Sequence, residues 1–178
     1  MERILSLKWQ KIHLIGGPGS GKTSAGVALA HRFGLPHLDL DEIFWEREAT
    51  TFGPQTAPPV RDAALAAFIT QRAWIVEGAY VGPWLLPSFT AAEAVIALRP
   101  AVWVRDWRLS LRWLHRKLGL RPLQQHKRET LKGLWKLYQY NHGYDQTTIP
   151  EAKALLAELG RPLIEVRTLE QLLRYVTA

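Results

Sequence analysis

The chain has 178 residues, a formal net charge of +7, eight tryptophans and no cysteine. That length suits a single domain with a full core, and the missing cysteines exclude disulfides and thiolate zinc sites. No apolar run reaches the ~18–20 residues that span a bilayer, and the first ten residues lack the apolar centre of a signal peptide, so cytoplasmic residence is expected.

Met1 to Gln10 reads as a short lead-in, and Lys11 to Ile15 as a first strand. The next eight residues, Gly16-Gly17-Pro18-Gly19-Ser20-Gly21-Lys22-Thr23, have the spacing G-x-x-x-x-G-K-T, the phosphate-binding P-loop. Glycines let the backbone wrap phosphate oxygens without an intervening Cβ. The turned loop aims N–H groups inward as an anion nest, and the following helix adds the positive end of its dipole. In such a loop Lys22 reaches the β- and γ-phosphates, and the Thr23 hydroxyl holds Mg²⁺. Gly16 to Ser24 are therefore the expected nucleotide site, with ATP and Mg²⁺ as cofactors. Thr23 to Phe33 reads as the required helix, with Val27, Ala30 and Phe33 inward and Gly34 as its stop.

His37 to Leu40 reads as a second strand, and Asp41-Glu42-Ile43-Phe44-Trp45 continues from its carboxyl end. Ligands of open α/β sheets sit beyond such ends. Asp39 and Asp41 are thus placed to order Mg²⁺ waters or to accept the proton of an attacking hydroxyl. For Asp41 a helix N-cap is an equal alternative, and for Asp39 a structural or outer role is preferred. Thr50 to Pro59 is a Pro-rich loop, and Val60 to Arg72 is helical with Ala64, Leu65, Phe68 and Ile69 near one face. Ala73 to Val76 is a buried-strand pattern ending in Glu77-Gly78. Glu77 stands where a P-loop protein keeps a second carboxylate that organises Mg²⁺ through water.

Ala79 to Thr90 reads as a loop with a helical turn, and Ala94 to Leu98 as a fourth strand. Ala101 to Leu118 is an amphipathic helix. Trp103, Trp107, Leu111, Leu114 and Leu118 make one stripe, and Arg105, Arg108, Arg112 and Arg116 the opposite one. Like charges four residues apart repel, so the arginine stripe points to an anionic ligand or an acidic internal partner. For any single arginine, a solvated face is the simpler reading. Arg128 to Tyr140 reads as a further helix, with Leu131, Leu134, Trp135 and Tyr138 inward, and Gly143 to Ile149 as a loop. Pro150 opens a helix through Leu159, Leu163 to Val166 is a fifth strand, and Leu169 to Val176 is a terminal helix. Residues 99–136 hold eleven Lys/Arg against Asp106 and Glu129, a net +9 that leaves −2 for the rest. Such a block favours polyanions, nucleotide or nucleic acid. Strands alternating with helices imply a parallel sheet covered on both faces.

These motifs together resemble the P-loop kinases of the adenylate kinase group. The resemblance is strongest to bacterial adenylate kinase-like proteins, some of which carry the name DNA topology modulation protein. It rests on Gly16 to Thr23, on Leu40-Asp41-Glu42-Ile43-Phe44-Trp45, on Trp74-Ile75-Val76-Glu77-Gly78-Ala79-Tyr80, on Ala92 to Leu98 and on Arg128-Glu129. Glu77 and Ala79 replace the group's usual Asp and Asn, and Arg99 stands where an acid is frequent. The resemblance implies a three-layer α/β/α P-loop fold with a five-stranded parallel sheet in the order 2-3-1-4-5, forming one domain over residues 1–178. It also implies a basic helical lid at about 112–130, whose Arg112, Arg116 and Arg128 neutralise charge on the transferred phosphoryl group, with Asp41 facing the acceptor. The expected function is a small Mg·ATP-dependent kinase acting on a nucleotide or small-metabolite acceptor. The alternatives are a nucleic-acid-associated ATP-binding protein, contacting its partner through the basic segment, and a low-turnover ATP sensor.

Overall fold

The computed structural model describes residues 7–46, 54–119 and 130–177. Arg128, expected to act in the lid, lies outside the described residues. Five parallel strands, β1 (Lys11–Ile15), β2 (His37–Asp39), β3 (Trp74–Gly78), β4 (Ala94–Leu98) and β5 (Ile164–Val166), lie in the order β2-β3-β1-β4-β5. Between and after them run α1 (Lys22–Phe33), α2 (Asp41–Phe44), α3 (Pro58–Ile69), α4 (Leu86–Ala91), α5 (Val102–Lys117), α6 (Leu131–Tyr144), α7 (Thr148–Glu158) and α8 (Leu169–Val176).

The sheet's central strands carry unbroken apolar runs because both of their faces are covered. Ile12, Leu14, Ile75 and Ile96 pack with Ala25 and Leu29 of α1 and Leu172 and Val176 of α8. On the other face Ile15, Val76 and Val95 pack with Leu65 of α3, Phe89 of α4, Tyr144 of α6 and Leu156 of α7. The register brings the strand ends that matter into line: Asp39 pairs with Glu77, and Glu77 with Leu14. With β3 between β2 and β1, both acidic strand ends stand beside the loop that leaves β1.

Four local expectations are corrected. In α1 Val27 is 51% exposed, whereas Ala30 and Phe33 pack against the core as expected, beside buried Ala25, Gly26 and Leu29. Gly26 sits there because an added Cβ would lie 2.7 Å from His37 Nε2. Within 79–90, read as a loop with a helical turn, the helical part is longer: a 3-10 turn (Pro83–Leu85) that buries Leu85 runs into α4, which buries Ser88 and Phe89. The loop expected from Gly143 is shorter, because α6 continues to Tyr144 and α7 begins at Thr148. In α6 Leu134 is buried, but Leu131 and Trp135 are exposed.

On α5 the expected acidic internal partner is met at Arg105, which bonds Asp145. The arginine stripe runs from buried Arg105 through exposed Arg108 to half-buried Arg112 and Arg116, and the tryptophan stripe faces solvent. Arg105 is completely buried, whereas Trp103 is 73% and Trp107 61% exposed. The apolar side of an amphipathic helix ordinarily packs inward, but here a charged residue, Arg105, shares the buried side with Leu109 while two tryptophans stay outside. The start of α5 lies on the P-loop, where backbone carbonyls and an acid await the guanidinium groups.

Candidate functional site

The P-loop follows β1 and leads into α1 as the sequence predicts. Gly16 N–H donates to the Gly78 carbonyl at 3.3 Å, tying the loop to the end of β3. Ser20 N–H closes the turn on the Gly17 carbonyl at 3.1 Å, and Ser20 Oγ accepts from Lys22 N–H at 3.4 Å. Gly16, Gly17, Pro18 and Ser20 are buried, Gly19, Gly21, Lys22 and Thr23 partly so, and Ser24 is exposed. Gly19 has φ 75°, and an added Cβ would lie 2.5 Å from the Arg105 carbonyl oxygen. Only glycine satisfies both demands.

Glu77 comes from β3 and is fully buried beside this loop. Burial pushes its carboxyl up to about 8, with Asp39 and Asp41 adding to the shift and Lys22 and the Thr23 hydroxyl opposing it. Asp39 is likewise raised, by burial first and the Asp41 charge next. Among the described residues neither Glu77 oxygen has a hydrogen-bond partner, and the His37 Nε2 lies 4.0 Å from Oε1. Two orphaned acceptors in a buried site, next to a hydroxyl and an ammonium, fit a hydrated divalent cation and its phosphates. Among the described residues no group of three or more acids and histidines forms a metal cage, and Mg²⁺ ordinarily needs only one or two carboxylates plus substrate phosphates.

Asp41 opens α2, but the N-cap is Leu40 and no side chain caps the helix. The carboxylate of Asp41 instead accepts from the Tyr80 hydroxyl at 2.5 Å, and Tyr80 in turn accepts from Trp45 Nε1 at 2.9 Å. Burial, followed by the Asp41 charge, raises the Tyr80 phenol and keeps it a donor. Asp39 has the structural role: its Oδ1 accepts from Asp41 N–H at 2.9 Å. Phe44 stacks on Tyr80 at 4.2 Å between ring centroids, and the Arg61 guanidinium lies 4.2 Å above the Trp84 ring. Asp41 thus sits in a wall of aromatic rings with one cation, on the sheet edge beyond Glu77.

The arginines divide by position along α5. Arg105 donates from Nη2 to Asp145 Oδ2 at 2.6 Å. Arg108, one turn on, donates from Nη1 to the carbonyls of Ser20 at 2.9 Å and Gly19 at 3.3 Å. Arg112 and Arg116 are half-buried on the same stripe, about 10 and 16 Å further along the axis than Arg105. Arg99, the departure from the group's pattern, bonds Asp145 Oδ1 at 3.3 Å and also pairs with Glu165, which meets Lys153 at 2.5 Å. Part of the +9 segment is therefore spent on internal partners.

Several residues here carried no expectation from the sequence. Tyr80 stood inside a quoted motif but without a role, Arg61 was one cation in a helix, and Asp145 and Tyr144 fell in an expected loop. Nothing in their spacing marks them; they meet the site through tertiary folding alone. Thr168 caps α8: its Oγ1 accepts from Gln171 N–H at 3.1 Å, and Gln171 Oε1 accepts from Arg167 N–H at 2.7 Å.

No family model matches the chain. A 36-residue stretch is 56% identical to the shikimate kinase of Paracidovorax citrulli (strain AAC00-1), spanning 20% of each chain. Solved structures match over nearly the whole length. The shikimate kinase from Bacteroides thetaiotaomicron aligns with TM-score 0.60 at 16% identity, covering 94% of this chain and 96% of that one. The shikimate kinase from Acinetobacter baumannii, in complex with shikimate, aligns with TM-score 0.58 at 19% identity, covering 94% and 90%. A gluconokinase from Sinorhizobium meliloti 1021 aligns with TM-score 0.53 at 19% identity, covering 92% and 87%. No helix among the described residues is long and apolar enough to cross a membrane. The chain has the fold of these P-loop small-molecule kinases.

Proposed function

We propose that the protein is an ATP-dependent phosphotransferase with a small-metabolite acceptor. The observation that carries this reading is the convergence of the P-loop, the buried Glu77 and the Asp41–Tyr80 pair at one end of the sheet. The neighbours by fold, kinases named for shikimate and gluconate, support a small acceptor over a nucleotide.

The P-loop amides and Lys22 bind and orient the ATP phosphates. Thr23, and Glu77 through water, would hold Mg²⁺, which when bound draws charge from the β- and γ-phosphates. An acceptor hydroxyl enters beside Asp41. Its oxygen forms the new bond to the γ-phosphorus, the bond from that phosphorus to the β–γ bridging oxygen breaks, and ADP leaves. The hydroxyl proton passes to Asp41, which Tyr80 holds in place. Arg112, Arg116 and Arg128 are proposed to answer phosphate charge from the lid side. The aromatic wall of Phe44, Tyr80 and Trp84, with Arg61, selects an acceptor that offers an apolar or planar face and a negative group.

The narrower resemblance to topology modulation proteins, and with it nucleic acid as a partner, has less support. Arg99, Arg105 and Arg108, three of the cations that suggested it, make hydrogen bonds to other groups of this chain. The test is ADP release by purified protein with Mg·ATP against hydroxylated acids, sugar acids, nucleosides and nucleoside monophosphates, with Lys22→Ala as control. Acceptor-dependent turnover that falls at least ~10³-fold in the control is expected. Turnover untouched by Lys22→Ala sinks the reading, and tight ATP binding with no turnover on any acceptor replaces it with an ATP sensor.

A further inference from the structure

Arg105 is a buried cation with most of its donors unused. Among the described residues only Nη2 has a hydrogen-bond partner, Asp145, while Nε and Nη1 have none, and the side chain has no exposure. A buried guanidinium left this way is costly unless something else uses its charge. Its surroundings show what that is. A Cβ built on Gly17 would lie 2.7 Å from Arg105 Nη1, 3.2 Å from the Tyr144 ring and 3.3 Å from Asn141 Oδ1. The guanidinium is thus pressed against the second residue of the P-loop, and the backbone of Arg105 against the fourth, Gly19.

The side of the loop it presses on is the acceptor side. Asn141 and Tyr144 belong to α6, and one turn away on that helix the Tyr140 hydroxyl donates to the Ala79 carbonyl at 2.8 Å. Ala79 precedes Tyr80, which holds Asp41. The same helix therefore spans from the P-loop at Gly17 to the wall that faces the acceptor. The third phosphate of a bound nucleotide belongs in that gap, since it is the one that moves to the acceptor.

We propose that Arg105 is a positioning residue for this third phosphate. Anchored on Asp145, it sets the Gly17-Pro18-Gly19 limb and places a fixed positive charge behind it. The site then prefers a nucleoside triphosphate to the diphosphate before any lid residue acts. This inference rests on the phosphotransferase reading and adds a source of triphosphate selectivity distinct from Lys22 and from the lid arginines.

The experiment is direct titration of the full chain, in Mg²⁺, with ADP and with a non-hydrolysable ATP analogue. Arg105→Lys and Asp145→Asn are compared with the unaltered chain. Arg105→Lys is expected to weaken the triphosphate at least tenfold and the diphosphate less than threefold. Asp145→Asn, which keeps the cation and removes its anchor, is expected to shift selectivity in the same direction and serves if Arg105→Lys does not fold. A structural role alone would lower both affinities together or neither, and either result in a folded variant overturns the proposal. If the unaltered chain binds neither nucleotide, the phosphotransferase reading falls and this inference falls with it. If it binds both and the variants keep its selectivity, only this inference falls.

Discussion

The two faces of α5 reverse the usual division between inside and outside. The inward face carries buried Arg105 and Leu109 and half-buried Arg112 and Arg116, and the exposed Arg108 reaches back to the P-loop carbonyls; the outward face carries Trp103, Trp107, Leu114 and Leu118. Burial of large apolar groups is the main favourable term in folding, and here one helix forgoes part of it. The difference lies in what each face meets. The P-loop presents backbone carbonyls, and Asp145 a carboxylate, so guanidinium groups find partners there that indole rings would not. Burying Trp103 and Trp107 against that surface would strand the carbonyls and the acid without donors, at about 1–3 kcal/mol for each group. The pairing of α5 with α6 is polar for the same reason: Asp106 accepts from Asn141 Nδ2 at 2.7 Å and meets His142 Nε2 at 2.8 Å.

The contrast can be broken from either face. The largest effect is expected at Gly19, where the inward face touches the loop most closely. Gly19→Ala places a Cβ 2.5 Å from a backbone oxygen of α5 at φ 75°, and is expected to destabilise by about 3–4 kcal/mol. Urea unfolding checks this, and a change below about 1 kcal/mol would show that α5 can move off the P-loop.

A second test sets the paired cation against a buried group that is kept neutral. His13 in β1 is fully buried, bonded through Nδ1 to Ser88 Oγ at 2.9 Å, and burial lowers its pKa to about 3. Its folded value lies below the unfolded 6.5, so the unfolded chain takes up the proton first. Stability is then lost as pH falls from 6.5 toward 3. Glu77 works in the opposite sense, since its raised value favours the folded state at low pH and loses that advantage between 4.5 and about 8. The His13 contribution is therefore read as a difference. Relative to the unaltered chain, His13→Asn is expected to gain about 2 kcal/mol on going from pH 7 to pH 5. Parallel pH profiles for the two proteins would mean that His13 titrates normally. The smallest effect is expected on the outward face. Trp107→Ser should change stability by less than ~0.5 kcal/mol, as exposed sites do, and a larger loss in thermal unfolding would mean that this face is covered.

Much of the fold was legible because it depends on local rules. Gly-x-x-x-x-Gly-Lys-Thr between an apolar pentamer and a helix has one common meaning, and the apolar strands at 74–78 and 94–98 are short, β-branched or aromatic, and punctuated by Gly and Pro. Both features appear where expected. The candidate site was legible only where it lies on strand ends or in the loop itself, as with Lys22, Asp41 and Glu77. Tyr80, Arg61, Tyr144 and Asp145 enter it from other elements, and no periodicity announces a hydrogen bond between residues 39 or 40 positions apart such as Tyr80–Asp41 or Arg105–Asp145.

Helical periodicity shows the same limit. It placed two opposed stripes on α5 correctly, yet it carries no sign: it cannot tell which stripe the rest of the chain will cover. By itself the sequence determined the order of strands and helices, the phosphate loop and the acids at the strand ends, because each depends on neighbours in the chain. Only the tertiary structure decided that Arg105 of α5 is buried while Trp103 and Trp107 are exposed, and that Asp41 is held by Tyr80. Those outcomes depend on which polar groups the folded sheet leaves in need of partners, and such partners are distant in sequence.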